Sequence, residues 1–65
     1  MFIKTEDGNL VNTNYISEIT ISGEPFRDGT YGVVAHIHMN GSRILGRHST
    51  KEEAIQQRDG YYQMY

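Results

Sequence analysis

Tyr31-Gly32-Val33-Val34-Ala35-His36-Ile37-His38-Met39-Asn40-Gly41-Ser42-Arg43-Ile44-Leu45-Gly46-Arg47-His48 decides how the rest of the chain is read. Its first half alternates: Val33, Ala35, Ile37 and Met39 fall on one side, Val34, His36 and His38 on the other. Alternation with β-branched residues marks a half-buried strand. Asn40-Gly41 then supplies the two residues that best tolerate the positive φ angles of a type I′ turn. A two-residue turn there predicts a hairpin that pairs Met39 with Ser42, Ile37 with Ile44, and Val33 with His48. The outer face would then collect His36, His38, Arg43 and Arg47, with Val34 and Leu45 among them.

Upstream, Ile16, Glu18, Thr20 and Ser22 alternate with Tyr15, Ser17, Ile19 and Ile21, which predicts another half-buried strand. Residues 23–30 form the longest irregular stretch, where Asp28-Gly29 could close a two-residue hairpin flanked by Arg27 and Thr30. Pro25 limits regular pairing before it. Nearer the start, Phe2-Ile3-Lys4 and Leu10-Val11 read as short strands around a Glu6-Asp7-Gly8-Asn9 turn. Downstream, Ser49 and Glu52 fit a capping box, and Glu52 and Glu53 suit the positive end of a helix dipole. Ala54, Ile55, Tyr61, Tyr62 and Tyr65 then share one helical stripe. Gly60 interrupts it, at a cost of about 1 kcal/mol relative to alanine.

Together these elements predict a single α+β domain over residues 1–65: a small antiparallel sheet of four or five strands packed against one C-terminal helix. The expected core is Ile19, Ile21, Val33, Ala35, Ile37, Ile44, Ala54 and Ile55. A chain of 65 residues buries only roughly 60% of its unfolded surface. It has no cysteine, so neither a disulfide nor a thiolate metal site can reinforce it. Self-association is the natural remedy, and a homo-oligomer is the expectation.

Charge and hydropathy narrow the function. The net charge of −2 argues against generic polyanion binding. Even so, residues 29–65 carry four basic and three acidic side chains, against two and five in residues 1–28. No apolar run approaches the length of a membrane span. Lys4 follows too closely on Met1-Phe2-Ile3 for a secretory signal. A cytoplasmic protein without a membrane partner is expected.

Two segments carry a resemblance. Phe2-Ile3-Lys4-Thr5-Glu6-Asp7-Gly8-Asn9-Leu10-Val11-Asn12 and Leu45-Gly46-Arg47-His48-Ser49-Thr50-Lys51-Glu52-Glu53-Ala54 resemble short uncharacterised proteins of bacteria and prophages. In those chains an aromatic-led strand, a glycine turn and "LVN" precede a hairpin. They close on "LG", a ring-bearing residue, a Ser/Thr cap and "EEA". The likeness implies a fold and an origin. It brings no established activity and therefore no site residues. Gly60 and the tyrosines that follow depart from the aliphatic tail usual there.

Several constellations bear on chemistry. His36 and His38 lie two apart, the spacing that turns two imidazoles to one side of a strand. A third ligand is missing, because the hairpin register puts His48 on the opposite face and Arg43 across from His38. Neither a metal nor a cofactor is expected, although paired histidines beside arginines could respond to pH. The row His36, His38, Arg43 and Arg47 is the candidate for an anionic partner. It lacks the stacking aromatics of most nucleic-acid readers, so nucleic acid ranks behind a protein. Val34 and Leu45 within that row suit a protein interface. Phe26-Arg27 could form a binding tip or fold back over the sheet, and the second is preferred. Arg58, inside the apolar stripe, could pack with its stem and reach Glu18, or form a contact patch with Tyr61, Tyr62 and Tyr65. No nucleophile motif or phosphate-binding glycine spacing occurs. A non-enzymatic protein-interaction module is the expected function. The alternative is a small anion- or nucleic-acid-binding regulator.

Overall fold

A computed structural model describes the backbone of residues 1–39 and 41–64 and the side chains through Tyr61, Asn40 excepted. Five strands and one helix carry the chain: β1 (Phe2–Lys4), β2 (Leu10–Asn12), β3 (Ile16–Ile21), β4 (Tyr31–Ile37), β5 (Gly41–His48) and α1 (Lys51–Met64). A single 3-10 turn (Thr13–Tyr15) links β2 to β3. The α+β class is as expected, but the strands divide into two antiparallel sheets, β1-β2 and β3-β4-β5.

The two Asp-Gly segments build the same loop. Thr5 N–H donates to Asn9 O at 2.8 Å and Gly8 N–H to Thr5 O at 3.1 Å. Likewise Phe26 N–H donates to Thr30 O at 2.8 Å and Gly29 N–H to Phe26 O at 2.9 Å. Gly8 and Gly29 have φ of +91° and +81°, the left-handed geometry that completes a three-residue loop. The two-residue hairpin expected at Asp28-Gly29 is thus corrected: Phe26 and Thr30 flank the loop, not Arg27 and Thr30.

The larger correction concerns β5. Ile37 pairs with Gly41, His36 with Ser42, Ala35 with Arg43 and Val34 with Ile44. Residues 38–40 therefore separate the strands, in place of the two-residue turn with Ile37 opposite Ile44. Asn40 itself lies outside the described residues, but Met39 and Gly41 on either side both have positive φ. Beyond Ile44 the register shifts. Val33 pairs with Gly46 and Tyr31 with His48, leaving Leu45 as the extra residue of a bulge. The longer turn reverses residues 42–45, and the bulge restores Gly46, Arg47 and His48 to the faces the alternation gives them.

The core follows from that register. Ile3, Val33, Ala35, Leu45 and Ala54 are buried, with Ile16, Ile19, Ile21, Tyr31, Ile37 and Tyr61 packed around them. Leu45, placed outside by the two-residue turn, is 6% exposed. Ile44 takes the opposite face beside Val34, and Ile55 is only half-buried and stands outside the core cluster. Ile16 joins the core side because a second irregularity, between Ile16 and Glu18, breaks the simple alternation of β3. Ile3 was not foreseen, since three residues of β1 are too few to establish a face.

The helix starts one residue later than the Ser49/Glu52 box predicts. Thr50 Oγ1 accepts from Glu53 N–H at 3.3 Å, and Glu53 Oε1 accepts from the Thr50 and Ser49 hydroxyls, each at 3.0 Å. These hydroxyls, Ser49 first, hold the Glu53 carboxyl below its ordinary pKa. Gly60 does not end the helix, which continues to Met64. Among the described residues, no helix is long and apolar enough to cross a membrane.

Candidate interaction surface

The two ends of the β4–β5 ribbon treat their polar groups differently. At the Tyr31/His48 end, Arg47 Nε donates to Glu6 Oε2 at 2.6 Å and its Nη1 to Asp28 Oδ2 at 3.4 Å. Its guanidinium carbon also lies 5.0 Å from the centre of the Phe26 ring, a cation–π distance. One arginine thus ties both Asp-Gly loops to β5. Its hydrogen bond to Glu6 raises the Arg47 pKa. Asp28 is held below its ordinary pKa first by the Thr30 hydroxyl, then by the Thr30 N–H and Arg47.

The helix closes the other face of that end. Gln57 Nε2 donates to Tyr61 OH at 2.8 Å and to Leu45 O at 3.4 Å. That leaves Gln57 Oε1 to accept from His48 Nε2 at 2.5 Å, so the network assigns the proton to Nε2. Gly46 makes room for this amide, since a Cβ there would lie 2.4 Å from Gln57 Oε1. Gly32 does the same on the outer face, where a Cβ would meet the Phe26 ring. Phe26 therefore folds back on the sheet, the preferred of its two readings, and Arg27 is left exposed at the loop tip.

The Ile37/Gly41 end leaves several large side chains to solvent. Phe2 and Leu10 are 60% and 66% exposed. Their pairing with Asn12 and Lys4 makes them diagonal neighbours on the outward face of β1-β2. Leu10 continues into a cleft of about 390 Å³ lined by Asn9, Leu10, Val11, Asn12, Tyr15, Ile37 and Arg43. Tyr15 is 61% exposed beside it. Its carbonyl accepts from His38 N–H at 2.8 Å, which brings Met39, 90% exposed, to the same end. Arg43 makes no ion pair within 4.0 Å among the described residues and bonds only Ser42 O.

The anion row is not assembled. His36 faces outward and contacts Thr20 Oγ1 at 2.9 Å. His38 lies in the turn, Arg43 pairs with Ala35 on the core side, and Arg47 is engaged by two carboxylates. His36 and His38 therefore do not share one strand face. Among the described residues no cluster of three His, Cys, Asp or Glu could hold a metal.

Of the interaction candidates, Val34 is half-buried outward and Leu45 belongs to the core. Tyr61 is bound to Gln57. Arg58 pairs with Asp59 at 3.2 Å and lines a groove with Glu18. The Tyr62 and Tyr65 side chains lie outside the described residues. Sequence reasoning missed Phe2, Leu10, Tyr15 and Met39. The available signal was Phe2-Ile3 and Leu10-Val11, two apolar pairs of which a strand can bury only one member each. No protein-family model, curated protein or solved structure matches this chain.

Proposed function

We propose that the chain is a non-enzymatic, cytoplasmic protein-interaction module, self-associating and of the bacterial or prophage kind its motifs resemble. The observation that carries the proposal is the exposed cluster of Phe2, Leu10, Tyr15 and Met39 beside Arg43, which makes no ion pair within 4.0 Å among the described residues. Aromatic residues, methionine and arginine are enriched at protein interfaces. A concentration of large apolar side chains on so small a surface points to a partner. Lys4, opposite Leu10, and Arg43 give the cluster a basic border. The fitting partner is an apolar protein surface rimmed by carboxylates.

The test is affinity capture from a lysate of the source cells with the parent, Leu10→Glu, Tyr15→Glu and Arg27→Glu proteins. A specific co-purifying protein should be lost with the first two variants and kept with the third, which alters the opposite end. Capture that survives both Leu10→Glu and Tyr15→Glu would refute the proposal.

A further inference from the structure

The strand edges of the two sheets are unequally guarded. β1 carries Lys4, and β3 has an exposed Glu18 with an irregularity beside it. β5 has the bulge at Leu45 and is covered where Glu6 N–H donates to Ile44 O at 2.8 Å. Charge, bulges and covering loops all block strand addition. β2, Leu10-Val11-Asn12, has no charge, no proline and an unbroken register.

The free edge of β2 faces the cleft. Thr5 N–H donates to Asn9 O at 2.8 Å and Thr13 N–H to Met1 O at 2.9 Å, with Ile3 opposite Val11 between them. In an antiparallel ladder, residues bonded to the neighbour alternate with residues whose N–H and C=O point away. Asn9, Val11 and Thr13 therefore bond toward β1. The N–H and C=O of Leu10 and the N–H of Asn12 point away from it, and no hydrogen bond among the described residues uses them. The cleft of about 390 Å³ is lined by four successive residues, 9–12. Side chains of a strand alternate, so four in succession share one cleft only along the strand's edge.

The opposite wall supplies Tyr15, Ile37 and Arg43, and no lining residue is acidic. Arg43 Nη1 donates to Ser42 O at 3.0 Å, and the guanidinium makes no ion pair within 4.0 Å among the described residues. Asp7 lies on its far side, where its carboxylate accepts from the Thr5 hydroxyl and the Asn9 amide. The cleft thus combines unused backbone donors and an acceptor, apolar side chains and one positive charge.

We propose that the cleft takes an extended segment of a partner polypeptide, which adds to the edge of β2 and presents an acidic side chain to Arg43. The inference rests on the interaction-module reading and specifies how that surface binds. Main-chain bonds at Leu10 and Asn12 align the segment, while its side chains give specificity. The carboxylate meets the Arg43 guanidinium, and an apolar side chain lies against Ile37 and the Tyr15 ring. So short a ladder makes the charge decisive for selectivity.

Random capped heptapeptides, displayed on beads and selected on the immobilised protein, test the assignment. Enriched sequences should hold an acidic residue among apolar ones, and on titration should move the Leu10 and Asn12 amide resonances of isotope-labelled protein. Exchanging the acidic residue for its amide, or Arg43→Gln, should each weaken binding roughly tenfold. Making both changes should weaken it no further, and Arg43→Lys should retain most of it. Methylating the peptide's backbone nitrogens, which leaves the protein untouched, should abolish binding. No enriched peptide, or peptides that bind with the Leu10 and Asn12 amides unmoved, would overturn the inference. So would hexanoate binding as tightly as the peptides. Amides that shift with protein concentration alone would give the edge to a second copy and overturn it too. Lysate capture that depends on Leu10 and Tyr15 while no peptide binds would leave the module reading standing. Peptides bound at β2 without any capture would do the reverse.

Discussion

The Tyr31/His48 end of the central ribbon and the Ile37/Gly41 end share two strands yet present opposite surfaces. At the first, Arg47, Glu6, Asp28, His48 and Gln57 satisfy one another, and two glycines admit Phe26 and Gln57 to the sheet. At the second, Tyr15, Leu10 and Met39 stand in solvent and Arg43 makes no ion pair within 4.0 Å among the described residues, its charge acting on Asp7 only from farther off. Polar residues look equally available in both halves of the sequence. Whether one can bind something else depends on what the fold has already given it.

The bulge at Leu45 divides the two ends, and the largest effect should come from removing its side chain. Leu45→Ala should lower stability by roughly 2–4 kcal/mol in urea denaturation, a severe loss for a chain this short. Ile44→Ala, on the outer face, should cost no more than about 1 kcal/mol. A reversed order would return the ribbon to a two-residue turn. Gly46→Ala should rank next. Gln57 can swing away from the new methyl group, but it forfeits bonds to His48 and Leu45 O, each of which contributes roughly 1 kcal/mol. Thermal denaturation would show the loss, and a nuclear magnetic resonance shift of His48 would show that Gln57 had moved.

The polar end should also register acid, though only modestly. Asp28 and Glu53 at that end, and Asp7 on the Arg43 side of the molecule, have folded pKa values below their ordinary ones. Depressed carboxyls stabilise the fold above the unfolded pKa, near pH 4, and lose that contribution as pH falls through the folded value. The contribution of these carboxyls should thus decline as pH falls below about 4. Asp28→Asn should make that decline shallower. An unchanged slope would remove Asp28 from the account.

Much of the fold is legible in the residues. The alternation of Val33, Ala35 and Ile37 identifies the buried side of β4, and the hydroxyls before Glu53 locate the helix start to within one residue. β5 is harder, because Asn-Gly specifies a tight turn more firmly than it specifies the turn's length. The bulge leaves one trace, Gly46 directly after Leu45 within a strand, where glycine often marks such an irregularity. The candidate surface is less legible still. Phe2 and Leu10 look like core residues until β1 and β2 are seen to turn Ile3 and Val11 inward instead.

The register of β4 against β5 underlies every assignment of a side chain to a face, and cross-strand nuclear Overhauser contacts measure it directly. Contacts between Val34 and Ile44, His36 and Ser42, and Val33 and Gly46 are the predicted result. A spectrum that joined Ile37 to Ile44 and Val33 to His48 would contradict it, and would move Arg43 and Leu45 to the outer face.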